Sequence, residues 1–262
     1  MTLEAALAAA ATLVAVAFAL STLERWMARR QLHELAWTLA LALFAAGSVA
    51  LWVGAAVGWG TWSFKLFYLF GAIVNVPMLA VGTVALLAGV RTGRLVFGAV
   101  VLLSVFCAGW ILATPIIAAI PTHELPRGSE VFGVVPRVMA AVGSGVGAMV
   151  VFGGAVWSAI ELLRKRRAVP GLSARRLALA NGLIALGTLV LGAGGLLNSV
   201  LGEMDAFTVS LVVGISIIFA GFLTTMSAKS TPASRSMPPW IREVLDEQGR
   251  VDVPVPTGSG LN

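Results

Sequence analysis

Tyr68, Gly71, Asn75, Met78 and Gly82 recur at steps of three and four, which puts them on one stripe of a helix. Tyr68 is the chain's only tyrosine, and Asn75-Val76-Pro77 falls in the middle of an apolar run. Asn181 and Asn198 are further amides within apolar runs. An amide left unpaired in hydrocarbon costs several kcal/mol, so each must face protein or water. One reading is hydrogen bonding between helices, worth roughly 0.6–2 kcal/mol apiece. The other is a polar lining for a small neutral or amphipathic ligand. Tyr68, Asn75, Pro77, Thr114, Asn181 and Asn198 are the candidate positions for such a pocket. Pro77 lacks an N–H and should free a carbonyl near Ile73 and bend its helix.

The chemistry that is missing narrows the choice. Ionisable side chains at membrane depth usually mark function, and the centres of the apolar runs hold no Asp, Glu, Lys, Arg or His; Lys65 and Glu161 fall at their edges. A retinal Schiff base needs a lysine in the last span, 206–226, which has none. Haem held by paired histidines is excluded because His33 and His123 are expected at opposite ends. Metal hydrolysis needs a His or Asp cluster, and a serine peptidase needs a histidine near Ser144. No catalytic residue, metal site or cofactor is expected, and the chain is read as a non-enzyme. Cys107 is alone, which excludes an intramolecular disulfide. Gly143-Ser144-Gly145-Val146-Gly147 has neither the preceding strand nor the following lysine of a nucleotide loop. With Gly154 and Ser158 it reads instead as a small-residue face for helix packing.

The elements that must position these residues are set by composition. With 58% apolar and 11% charged residues, against about 25% charged in ordinary soluble domains, the chain is a polytopic membrane protein. Its apolar runs are about 20 residues long, enough to cross a ~30 Å hydrocarbon core as helix. The fold class is all-α, with seven transmembrane helices over about 3–20, 35–57, 65–89, 95–120, 138–163, 177–201 and 206–226. The first is read as an uncleaved span, because only Glu4 precedes its apolar stretch. Basic residues sort to one side. The loops after spans one, three and five, with the tail, carry fifteen of the 18 Lys and Arg, including Arg29, Arg30, Arg164, Arg166 and Arg167. Lys65, Arg127 and Arg137 alone fall opposite. That bias places the N-terminus outside and the C-terminus in the cytoplasm, and it argues for a lipid bilayer rather than nucleic acid as partner. Arg outnumbers Lys, and Ala, Gly and Val dominate, a composition typical of bacteria with G+C-rich genomes, so a bacterial inner membrane is expected. Trp26, Trp37 and Trp157 are expected near the inner boundary, and Trp52, Trp59 and Trp62 near the outer one.

Spans one and five end alike, Ser21-Thr-Leu-Glu24 with Arg29-Arg30 against Ser158-Ala-Ile-Glu161 with Arg166-Arg167. Further on, Gly47-Ser48, Leu51 and Gly54 match Gly187-Thr188, Leu191 and Gly194. Spans three and seven match poorly. The pattern is that of a parallel repeat, three helices plus a linker helix plus three, one way of building a transporter with its site between the halves. Residues 1–226 form the membrane domain. Residues 227–262 form a cytoplasmic tail, mostly disordered, with an amphipathic segment at 238–247 that could dock a membrane or cytoplasmic protein partner.

The segments LFYLFGAIVNVPMLAVGT, 66–83, and ELPRGSEVFGVVPRVMA, 124–140, resemble an uncharacterised family of bacterial seven-span membrane proteins over most of spans two to five. That resemblance implies the topology and no assigned activity. The arrangement is also similar to rhodopsins, whose lysine is absent, and to three-plus-one-plus-three sugar transporters, whose Pro-Gln pair is absent. Two functions are expected on these grounds. The first is a non-enzymatic scaffold or sensor-like membrane subunit. The second is a transporter or facilitator of a small solute or lipid, with a site between the two halves.

Overall fold

Seven helices are long and apolar enough to cross a membrane. The computed structural model describes residues 3–118, 120, 126–165, 174–201 and 204–226, with the backbone alone at 165, 174, 197–201, 204, 205 and 226. The helices are α1 (Leu3–Arg29), α2 (Leu32–Val57), α3 (Thr61–Leu87), α4 (Val90–Ala113), α5 (Val134–Lys165), α6 (Ala174–Leu201) and α7 (Met204–Met226). No strand occurs among the described residues. The tail with its 238–247 segment, and Arg166 and Arg167, lie outside the described residues.

Six helices close a circuit. α1 packs on α2 and α7, α2 on α3, α3 on α5, α5 on α6, and α6 on α7. α4 stands outside against α3, touching α2 and α5 lightly, and turns Leu95, Leu102, Val105 and Phe106 outward. Glycines set the closest crossings, as small residues do where packing rather than hydrophobicity drives association. A Cβ on Gly47 would stand 2.9 Å from the Gly71 nitrogen at the α2–α3 crossing. One on Gly187 would stand 2.7 Å from the Gly214 carbonyl oxygen at the α6–α7 crossing.

α3 changes register midway. Tyr68–Val74 is π-helical, and the α-helix resumes at Asn75. Pro77 explains why the two registers meet here. It can answer neither the Ile73 carbonyl, its α-helical partner, nor the Ala72 carbonyl, its π-helical one. The Ser144 hydroxyl of α5 donates to the Ala72 carbonyl instead. Gly143 and Gly147 make room, since added Cβ atoms would lie 2.9 Å from the Ile73 oxygen and 2.9 Å from the Pro77 nitrogen. Gly154 continues the same face against Thr83 and Leu87.

The π segment also divides the Tyr68–Gly82 stripe. Gly71 meets Gly47, Met78 clusters with Ala36 and Ala40, and Gly82 abuts Trp37, all on α2. Tyr68 turns away from that face and packs on Phe64, Phe132 and Gly128. The wider π turn rotates it off a line that a continuous α-helix would have kept.

Helix boundaries differ from the sequence expectation most at α1, which runs on to Arg29, and at both ends of α4. α4 begins at Val90, after Gly89 at φ +88°, so Arg91 and Arg94 form its first turn rather than a loop. It ends at Ala113 because Pro115 holds Thr114 extended, at φ −65° and ψ 126°. Trp59 is not an interfacial anchor. It is buried against Gly54, Phe64 and Phe67, in a cluster with Leu51, Leu69 and Ile111 that fills the half of the bundle away from the arginines.

Candidate functional site

The α1–α2 turn is two residues long, and Arg30 at φ 53° takes the left-handed position that ends α1. So tight a reversal returns Glu34, in the first turn of α2, to the arginines of α1. Arg25 Nε lies 3.1 Å and Arg29 Nη1 3.7 Å from Glu34 Oε1. The Glu34 side chain is 1% exposed, and its Oε2 has no hydrogen-bond partner among the described residues. The Arg25 guanidinium also covers the Phe222 ring of α7 at 4.8 Å. Arg30 stacks on Trp26 at 4.7 Å, and Arg164 is exposed. Arg29, expected only as a topological anchor, is therefore also part of a buried charge cluster.

This cluster was missed in the sequence because Glu34 sits one residue ahead of the apolar run expected to start at Leu35. The signal was present. Arg25 and Arg29 share a helical face four residues apart, and a carboxylate follows directly after the turn.

Beside the cluster is a cavity of about 90 Å³ to which all six helices of the circuit contribute. Thr22 of α1, Trp37 of α2, Thr83 of α3, Ser158 of α5, Asn181 of α6 and Phe222 of α7 line it, with Leu41, Ile184 and Ile218 among the apolar walls. These residues lie in the halves of their helices nearest Arg25, Arg91 and Arg164. The volume corresponds to about three water molecules at roughly 30 Å³ each. Thr22 donates its hydroxyl proton to the α1 carbonyls of Ala19, at 2.9 Å, and Phe18, at 3.2 Å. The Asn181 amide nitrogen donates to Leu177 of its own helix at 3.0 Å. A hydroxyl and an amide used in this way retain acceptor lone pairs. The cavity therefore combines apolar walls with a few neutral acceptors and the Trp37 indole donor.

The six candidate pocket positions are not brought together. Asn181 lines the central cavity. Pro77 lines a separate groove between α3, α4 and α5. Tyr68 belongs to the aromatic cluster at the opposite end. Thr114 is partly exposed at the end of α4 and donates its hydroxyl to the Trp110 carbonyl. Asn75 is buried in α3, its Oδ1 without a hydrogen-bond partner among the described residues. The Asn198 side chain lies outside the described residues. Among the described residues no group of three or more His, Cys, Asp or Glu could hold a metal ion.

Lys65 is the other buried charged group among the described residues. It is 6% exposed and donates to the carbonyls of Leu112 at 2.9 Å and Thr114 at 2.8 Å, where α4 ends. A cation on the free carbonyls of a helix C-terminus is a structural cap.

Comparison of the chain with family models, with curated proteins and with solved structures found no match.

Proposed function

We propose that this chain is a non-enzymatic, multi-pass protein of the bacterial plasma membrane that passes a small uncharged solute between two three-helix halves, α1–α3 and α5–α7. One observation carries the reading: all six helices of the two halves line a single cavity, and α4 lies outside them. Transporters built from repeats hold their substrate between the halves; here the cavity lies on that seam, toward the arginine-rich end. The neutral lining, with the hydroxyls of Thr22, Thr83 and Ser158 and the Asn181 amide, suits a very small uncharged solute that donates hydrogen bonds.

Two features support the parallel repeat and the orientation. Gly47 and Gly187, matched in the sequence, each sit at a close backbone contact between the second and third helices of their halves. Arg25, Arg29, Arg30, Arg91, Arg94, Arg164, Arg175 and Arg176 all belong to the same ends of their helices, the ends that face the cytoplasm by the positive-inside rule. The N-terminus is then outside.

Stopped-flow light scattering on proteoliposomes tests the reading with urea, formamide and glycerol as solutes. At least one should equilibrate faster than in protein-free liposomes, and Ser158→Leu, which adds bulk to the cavity wall, should remove the gain. Equal permeability with and without protein for the whole panel would end it.

A further inference from the structure

The buried charge cluster and the central cavity share a wall. Phe222 of α7 lines the cavity, and the Arg25 guanidinium lies over its ring at 4.8 Å. Thr22, one turn before Arg25 on α1, and Trp37, one turn after Glu34 on α2, line the cavity as well. Arg25 and Glu34 therefore stand one turn nearer the arginine-rich end than these wall residues. Thr22 and Phe222 are buried, so the cavity is shut on this side.

Side chains make this closure. α1 holds the Phe222 ring at two points two turns apart, through the Phe18 ring at 5.0 Å and through Arg25. Arg25 is in turn held by Glu34, its Nε donating to Oε1 at 3.1 Å. A carboxylate can take an arginine fork on both oxygens, but Glu34 Oε2 has no partner among the described residues. The hold is thus a single charge-assisted bond on a long side chain that already reaches solvent. Such a side chain can leave by changing rotamer, with the backbone in place. Arg29, 3.7 Å from the same carboxylate oxygen, stays behind to balance the buried charge when it does. We propose that Arg25 is a side-chain gate at the arginine-rich end of the cavity. It is closed while Glu34 keeps it on Phe222, and open when the guanidinium swings into water and frees the ring. The use of such a gate rests on the transport reading, although its geometry does not.

The rate at which water-borne thiol reagents reach Ser158→Cys, in the wall of the cavity, tests the gate. The full chain carries Cys107→Ala and sits in inside-out vesicles. Arg25→Ala removes the lid and Glu34→Gln weakens its hold. Each should speed modification about ten-fold or more, the change that loss of one charge-assisted hydrogen bond represents. The rise should appear with a cationic and with an anionic methanethiosulfonate, whereas a mere change of local charge would speed one and slow the other. Gly147→Leu, which strains the α3–α5 seam instead, should keep the starting rate. Unchanged rates in both gate variants, opposite effects on the two reagents, or an equal rise in Gly147→Leu would overturn the proposal. Solute flux in proteoliposomes, measured alongside, separates the gate from the transport reading. Faster modification without flux upholds the gate and ends transport, while flux with unchanged modification ends the gate alone.

Discussion

Replacing Glu34 with Gln should loosen the arginine-rich end while keeping the side chain's shape. The carboxylate is 1% exposed and faces two guanidinium groups, at 3.1 Å from Arg25 and 3.7 Å from Arg29. Removing one partner of a fully buried pair costs roughly 3–5 kcal/mol, because the other charge is left stranded. Arg25 and Arg29 are 21% and 36% exposed, so part of their charge is already met by water. The expected loss is therefore smaller, about 2–3 kcal/mol. The SDS mole fraction that unfolds the protein in mixed micelles, followed by circular dichroism, reads this directly. Arg25→Met alone should also destabilise, by leaving Glu34 with the more distant Arg29. Arg25→Met combined with Glu34→Gln should cost clearly less than the sum of the two, with a coupling of at least about 1 kcal/mol. A loss below about 0.5 kcal/mol for Glu34→Gln, or strict additivity in the double variant, would refute the pairing as an energetic element.

Further outcomes are expected at the α3–α5 seam and at α4. Gly147→Leu should destabilise by at least about 1–3 kcal/mol through overpacking, since its Cβ would meet the Pro77 backbone at 2.9 Å; Gly153→Leu, with nothing within 4 Å, should be neutral in the same assay. Ser144→Ala should cost about 0.6–1.7 kcal/mol as an interhelical bond within the membrane. Its cost should shrink in a Pro77→Ala background, where a restored N–H can serve the carbonyl, and an undiminished cost would contradict the register account. Lys65→Met should lose about 1–3 kcal/mol and speed amide exchange near Thr114, because it strips two hydrogen bonds from the end of α4; no change there would rule out the cap.

The seven helices are legible because an apolar run of membrane length has few alternatives, and the arginines mark their ends without any knowledge of packing. The face formed by Gly143, Gly147 and Gly154 is legible for a related reason, as small residues at helical spacing imply a close neighbour. Which neighbour is not legible. That Pro77 and Ser144 meet across α3 and α5 depends on a π register that the apolar pattern does not encode. Asn75 and Asn181 look equivalent as intramembrane amides, yet one is buried away from both cavities and the other lines the central one. Their places follow from helix rotation, which three-dimensional packing sets. The Glu34 cluster lies between these cases, since a two-residue turn next to paired arginines forces the contact, but only once the turn is known to be tight.

Passage of a solute between the halves requires that the cavity toward the arginine-rich end be reached by water from that end. Ser158→Cys and Thr83→Cys, each introduced with Cys107→Ala, place a thiol in its wall with little change of volume. A charged, membrane-impermeant methanethiosulfonate should modify both in inside-out vesicles and neither in right-side-out vesicles, while Leu102→Cys, on the outward face of α4, stays unreactive in both. Thiols at 158 and 83 that remain as inert as the one at 102 from either side would contradict the claim.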